Sequence, residues 1–377
     1  MINAWSYKDE YKELRSKILK NVDKTLKSGN IFFGNELKKF EKLFLKMNNF
    51  KYGVAVGSGT DALYLSLIAL GIGRGDEVIT VSNSAIPTVS AIRSSGANVK
   101  FVDVDDNYLI DTKKIEKKIT NKTKAIIPVH LYGQSCDMEK ISLIARKHKL
   151  KIIEDCAQAQ GAKYKNRFVG SFGDTGCFSF YPTKILGAYG DGGFISTSSL
   201  SLFKKLKRLR FYGIEQNDKK NKYNNKYYAN NHGTNSRISE LQASILNIKL
   251  PKVDSFINKR RYIAKIYLKY LKNSGLILPK EKINCKHVFH LFVVYHSKRN
   301  LIIKKLKKNN ILVNINYPYP IHKMKAYKNL YNFNIKNLYN TEKFAKGIFS
   351  LPLYPNLKIR DVVKISKTLK KVLLNIK

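Results

Sequence analysis

Lys184 sits in FSFYPTKILGAYGDGG, residues 178–193, where an aromatic run and a proline precede it and a glycine-rich run without bulky charge follows. A surface lysine needs no such frame. A lysine held between packed segments loses part of its affinity for protons and can attack a carbonyl to form a Schiff base. Upstream, IIEDCAQAQGA, residues 152–162, places Glu154, Asp155 and Gln158 at the end of a short apolar run. If that run is a buried parallel strand, an acid at its carboxyl end stands where open α/β sheets bind ligands and must meet a cation or strong donors. A helix cap or a paired structural acid explains the same residues. Gly57-Ser58-Gly59-Thr60 follows another apolar run and opens the helical pattern DALYLSLIAL. Such a turn aims backbone N–H groups and a hydroxyl at one point, which suits a phosphate, although a plain capping turn has the same appearance.

These three pieces need a scaffold, and the periodicities supply one. Residues 7–30 have helical spacing and form an arm. From Gly53 onward, β-branched runs at 54–56, 77–81, 99–104, 124–129 and 151–155 alternate with helical stretches, the pattern of βαβ units and a mostly parallel sheet. Runs at 176–180 and 192–197 follow without intervening helices and are expected to complete the sheet out of order, which makes their connections candidate site loops. After an Asn- and Tyr-rich loop at 214–232, a helical segment starts near Ser236 and meets Pro251, taken as the domain border. Beyond it, HVFHLFVVYH and ILVNINY read as strands, and NLIIKKLKKNN and VVKISKTLKKVLLNIK as helices. The expected division is an N-terminal arm over 1–30, a large domain over 31–250 and a small α+β domain over 251–377.

Composition narrows the class of activity. The formal charge is +43, but it comes from 58 lysines and 12 arginines spread along the chain with no separate basic block. Specific nucleic-acid recognition concentrates Arg, Lys and stacking aromatics on one face, so none is expected. The densest run, residues 301–310, has apolar residues at helical spacing and reads as the solvated side of an amphipathic helix. Cys136, Cys156, Cys177 and Cys285 show no metal or disulfide spacing, and Cys156 is read as buried beside a site rather than as a nucleophile. No metal site is expected. No apolar run is long enough for a membrane span and the first residues carry acids and lysines, so a cytoplasmic location is expected.

In this order and spacing, the three pieces resemble the DegT/DnrJ/StrS-type nucleotide-sugar aminotransferases, which depend on pyridoxal phosphate. The likeness extends through GNELKKFEKLF, GDEVITVSNSAIPTVSAIRSSGA, PVHLYGQSCDM, GTNSRISELQASI, HVFHLFVV, YPYPIH and SLPLYP, nearly the whole chain. It implies an α/β, aspartate aminotransferase-like fold (PLP fold type I) with a mostly parallel central sheet and a smaller C-terminal α+β domain. Lys184 would carry pyridoxal 5′-phosphate covalently, Asp155 would pair with the pyridine nitrogen, and Gln158 would bond the ring's phenolic oxygen. Gly59, Thr60 and Ser179 would hold the phosphate, joined by Asn235 from a second copy, which implies a homodimer with shared sites. His290 and His322, in the small-domain motifs, would touch the sugar or else serve as ordinary structural histidines. Where most relatives cover the ring with an aromatic side chain, this chain has Ala85. The YPTK-x-LGA-x-GDGG continuation resembles members that aminate C-3 of a nucleotide-linked 3-keto-6-deoxyhexose. The implied reaction moves nitrogen from L-glutamate to that sugar, dTDP-linked, in deoxyamino sugar or polysaccharide biosynthesis. The alternatives are C-4 amination of a UDP-linked 4-keto sugar and a non-catalytic regulator that binds the cofactor.

Overall fold

The computed structural model describes residues 1–215, 228–328 and 338–376. Helix α1 (Lys8–Lys27) precedes α2 (Asn35–Asn48), and the large domain then runs through β1 (Tyr52–Val56), α3 (Gly59–Ala69), β2 (Glu77–Val81), α4 (Ile86–Ser94), β3 (Asn98–Val102), β4 (Thr123–Ile126), α5 (Met138–Lys147) and β5 (Lys151–Asp155). A short hairpin, β6 (Lys163–Tyr164) and β7 (Arg167–Phe168), leads to β8 (Thr175–Ser179), β9 (Gly193–Thr197), α6 (Leu200–Leu209) and α7 (Glu240–Lys249). Helix α8 (Val253–Leu271) enters the small domain, with β10 (Cys285–Lys286), β11 (Phe292–Tyr295), α9 (Arg299–Lys308), α10 (Lys325–Lys328), α11 (Tyr339–Gly347), β12 (Ile348–Leu351) and α12 (Ile359–Leu374).

The central sheet has the order β1-β9-β8-β5-β4-β2-β3. Only β9 runs against its neighbours, pairing antiparallel with both β1 and β8. The sheet is therefore mostly parallel, and the two late runs do enter it out of sequence. Alternation along each strand sends residues to opposite faces. Val78 of β2 and Ile153 of β5 join the core under α3, α4 and α6, whereas Ile79 and Ile152 join the core under α5. On that second face, Phe178 and Phe194 pack against Phe40 and Phe44 of α2. Layers of helix, sheet and helix result, and the carboxyl ends of the parallel strands form one edge.

Beyond the large domain, a two-stranded antiparallel sheet of β11 and β12 packs under α8, α9 and α12. Pro251 lies in a single 3-10 turn and the chain continues directly into α8. Val253 and Ile257 of that helix belong to the large-domain core, but Ile263, Tyr267 and Leu271 belong to the small-domain core. The border expected at 250/251 thus falls on a helix shared by both cores. The ILVNINY segment is not a strand: it bridges only at Ile311, to Ile2, and at Asn314, to Ser350. It meets the edge of β12 that β11 leaves open only at Asn314, so no ladder forms. Most of the Asn- and Tyr-rich loop lies outside the described residues.

Helix α2 has no side-chain cap of its own at Gly34. The cap comes from Glu240 at the start of α7, whose buried carboxylate accepts N–H bonds from Gly34 and Glu36 at 2.8 Å and from Leu37 at 3.1 Å. A helix N-terminus both needs acceptors and favours negative charge, so this contact ties the entry helix to α7. Glu240→Ala should lower unfolding stability by about 3 kcal/mol, the order expected when buried donors lose a charged acceptor. The check is the shift in denaturant midpoint, and a change below about 0.5 kcal/mol, the level of an ordinary surface substitution, would contradict it.

Candidate active site

At the end of β1 the chain turns through Gly57 and Ser58 into α3. Ser58 is extended, and its side chain accepts the Asp61 N–H at 3.0 Å, which caps the helix. Ser236 locks the turn by accepting from the Gly57 N–H at 2.9 Å and donating to Asp61 Oδ2 at 2.8 Å. Gly59 faces Ser179 at the end of β8 so closely that a Cβ there would lie 2.7 Å from the serine Cβ. Glycine is required because two loops meet at this point. The first-turn N–H groups of Gly59 and Thr60 have no acceptor inside the helix, and the Ser179 side chain borders Gly59. Donors grouped in this way at a helix N-terminus can hold a phosphate.

Directly beside β8, β5 ends in two acids that point opposite ways. Glu154 is fully buried below the edge, where it accepts the N–H groups of Gly170, Phe172 and Gly173 at 2.7–2.8 Å. His130 joins it through Nε2 at 3.0 Å and accepts the Cys136 N–H on Nδ1, so the imidazole proton belongs on Nε2. Glu154 is a brace for the loop over 170–173. Asp155 faces the cleft instead. Its Oδ2 accepts the Thr88 hydroxyl at 2.8 Å, and its Oδ1 accepts the Ala157 N–H at 3.1 Å. Ser84 stands 3.0 Å from the Thr88 hydroxyl. Burial nevertheless raises the Asp155 carboxyl above the usual range, opposed by these bonds and by Lys184. A cationic partner would relieve that cost.

Gln158 accepts the Tyr132 N–H on Oε1 at 2.9 Å, which leaves its amide nitrogen as a donor to the Tyr317 hydroxyl at 2.8 Å. Lys184 lies in a tight loop closed by its own N–H to Tyr181 and by Ala188 N–H to Phe180. Gly187 is needed there, since a Cβ would meet the Pro182 carbonyl at 2.4 Å. The lysine is half-buried, and desolvation pushes its amine down to about 8 while the nearby Asp155 acts in the opposite sense. Such an amine is partly unprotonated near neutral pH and can serve as nucleophile and base.

The structure therefore gathers Gly59, Thr60, Asp155, Gln158, Ser179 and Lys184 along one edge of the sheet. Asn235 is not among them within a single chain: it is exposed and accepts the Arg237 Nε–H at 2.8 Å. His290 is buried in the wall of a cavity of about 120 Å3 that also contains Lys184, and its Nδ1 has no hydrogen-bond partner. Burial, Lys184 and Arg260 hold its pKa well below the ordinary value, so it is neutral. His322 departs from the role expected for it. Nδ1 lies 2.7 Å from the Ser82 hydroxyl and Nε2 lies 3.2 Å from Glu342, so neither ring nitrogen is free for a sugar. It pins the loop that carries Ala85, which is half-buried at the N-cap of α4. Cys156 is buried with its thiol raised well above the usual value, as expected for a residue beside the site rather than a nucleophile. Thr88, Tyr132, Tyr317 and Trp5, which lines the same cavity as Lys184, escaped the sequence reading because each comes from a different segment.

The profile of the DegT/DnrJ/EryC1/StrS aminotransferase family matches residues 12–370. The chain belongs to this family. Among its members, the dTDP-3-amino-3,4,6-trideoxy-alpha-D-glucose transaminase of Micromonospora megalomicea subsp. nigra is 43% identical, with 94% of each chain covered. The crystal structure of S. venezuelae DesV with a ketimine intermediate superposes with a TM-score of 0.93 at 36% identity, covering 99% of this chain and 98% of that one. NtdA from Bacillus subtilis, solved with bound cofactor PMP, gives a TM-score of 0.87 at 33% identity over 96% of this chain and 82% of that one.

Thr88→Val should weaken binding of pyridoxal 5′-phosphate to the apoprotein by about tenfold, the order of one lost hydrogen bond to a charged group, and Thr88→Ser should restore it. Absorbance titration checks this; equal affinity in all three proteins would contradict it.

Proposed function

We propose that this family member is a pyridoxal 5′-phosphate-dependent aminotransferase that places nitrogen from L-glutamate at C-3 of a dTDP-linked 3-keto-6-deoxyhexose. The observation that carries the reading is a lysine amine lowered to about 8 in one cleft with a buried, hydrogen-bonded aspartate and a phosphate cradle. These residues fit the cofactor. Asp155 is a buried carboxylate in want of a cation, which a protonated pyridine nitrogen supplies. Gln158 has its donor end free of the backbone bond that orients it, the polarity a phenolic oxygen needs. Gly59, Thr60 and Ser179 would hold the phosphate. The activity for which the Micromonospora relative is named, at 43% identity, supports a dTDP-linked 3-amino sugar.

When bound, the cofactor supplies an electrophilic carbon and a ring that accommodates the electrons left when a neighbouring carbon loses its proton. The protein's share is placement and proton transfer. Thr88 and the Ala157 N–H orient Asp155. Lys184 Nζ takes the proton from the α-carbon of the donor in the first half of the exchange and delivers one to C-3 of the sugar in the second. Incubation with L-glutamate and dTDP-linked 3-keto-6-deoxyhexose should yield the 3-amino sugar and 2-oxoglutarate, with the new C–N bond located by NMR. Nitrogen at C-4, or no turnover of any keto sugar, would defeat the assignment. Lys184→Ala should abolish turnover, and Asp155→Asn should reduce it by several orders of magnitude in a folded protein. Capture of pyridoxal 5′-phosphate by the apoprotein should accelerate as pH rises, half-maximal near 8, because only the unprotonated Lys184 amine attacks.

Asn235 is proposed to complete the phosphate site of a second copy. Its exposure supports this, as do the exposed rings of Phe32 and Tyr212 nearby, with the Arg237 guanidinium over Phe32 and Phe211. Lys184→Ala and Asn235→Ala proteins, each inactive alone, should regain up to about a quarter of wild-type activity when refolded together, since half the dimers would be mixed and carry one intact site. No recovery would contradict shared sites.

A further inference from the structure

The cavity beside Lys184 has two kinds of wall. Asn314, Asn316, Thr183 and the unpartnered His290 offer polar groups, whereas Trp5 and Leu353 offer apolar surface. Trp5 comes from the segment ahead of α1 and is the one tryptophan among the 377 residues. Its place is set from both sides. Three residues before it, Ile2 is stitched to the small domain, donating its N–H to the Asn310 carbonyl at 2.8 Å and accepting the Leu312 N–H at 2.9 Å. Two residues after it, Tyr7 packs on Tyr189 of the Lys184 loop at 5.3 Å, and Trp5 itself packs on Tyr7 at 5.4 Å. Farther along, Glu10 meets the buried Lys249 at 2.6 Å, and the Lys249 amine lies 4.8 Å from the Tyr189 ring. The segment therefore spans the two domains as a taut strap with the indole at the cavity between its anchors.

An indole carries no charge to offset two carboxylates, whereas its face matches the C–H face of a hexose ring and leaves the sugar hydroxyls to polar groups such as Asn314 and His290. A rigid aromatic ring supplies that contact at little cost in conformational entropy. At about 120 Å3 the cavity is small enough for one wall residue to decide what fits. We propose that Trp5 is a specificity-determining residue for the sugar half of the reaction, packing against the apolar face of the hexose. This rests on the aminotransferase reading above and assigns to the strap a part in choosing the acceptor.

The lone indole is its own reporter. Holoenzyme titrated with dTDP-linked 6-deoxyhexose that lacks the ketone, which binds without reacting, should show a saturable change in tryptophan emission. Neither dTDP alone nor 2-oxoglutarate should reproduce it. An equal change with dTDP alone would mean that the indole reads the nucleotide and would overturn the proposal, as would no change at saturating sugar nucleotide. In single-turnover measurements, Trp5→Ala should lower kcat/KM for the keto sugar by about tenfold with less than about a twofold effect on the glutamate half, and Trp5→Phe should retain most of the wild-type rate. Equal losses in both halves would make the strap a mere support for Lys184, and no loss in either would deny it any part; both refute the assignment. Failure of the wild type to react with glutamate would instead strike the aminotransferase reading, while the emission titration still decides whether Trp5 touches the sugar.

Discussion

A carboxylate buried at the end of a parallel strand is the constraint on which the site depends. Asp155 cannot stay ionised in that position without donors, and the surroundings are arranged to provide them. Thr88 comes from the helix after β2, the Ala157 N–H from the turn after β5, and the positive field from Lys184 beyond β8. Remaining desolvation still raises the aspartate, so the cleft is poised for a cation that the protein does not itself supply. Its neighbour Glu154 meets the same constraint on the reverse side entirely from within, with three backbone N–H groups and a histidine. One acid holds the loop in place and the other faces the cleft, because adjacent residues of a strand face opposite sides of the sheet.

The sheet order converts that local arrangement into a site. With β5 and β8 side by side and β9 between β8 and β1, the turns after β1, β5 and β8 open onto the same edge. Gly59 and Ser179 come into contact there although 120 residues apart in the chain, and Gly193 at the start of β9 passes so near Ser58 that a Cβ would meet its carbonyl at 2.2 Å. Small residues at these crossings are a packing requirement first. Their consequence is a concave, donor-rich floor at a helix N-terminus. The small domain and the N-terminal strap then close the opposite side, bringing Tyr317, His290 and Trp5 around Lys184.

Sequence alone determined a good deal of this. Strands with alternating or continuous β-branched residues were legible because their signal is local, and β2 and β5 lie where the pattern put them. Lys184, Asp155, Gln158 and the Gly-Ser-Gly-Thr turn could be singled out as candidates because their segments together resemble the motifs of one family, although the turn and the acid, each taken alone, also read as a cap or a paired structural group. Tertiary structure decided the rest, since the deciding contacts join residues distant in sequence. Thr88 meets Asp155 across 67 positions, and Glu240 caps a helix across more than 200. His322 resembled a site residue by motif, but packing turned both of its ring nitrogens to Ser82 and Glu342. The ILVNINY segment had strand composition and found only isolated bridges, because ladder formation depends on tertiary alignment with a partner edge and not on composition alone. Local propensity is written residue by residue, whereas burial and hydrogen-bond partnership exist only once separate segments meet.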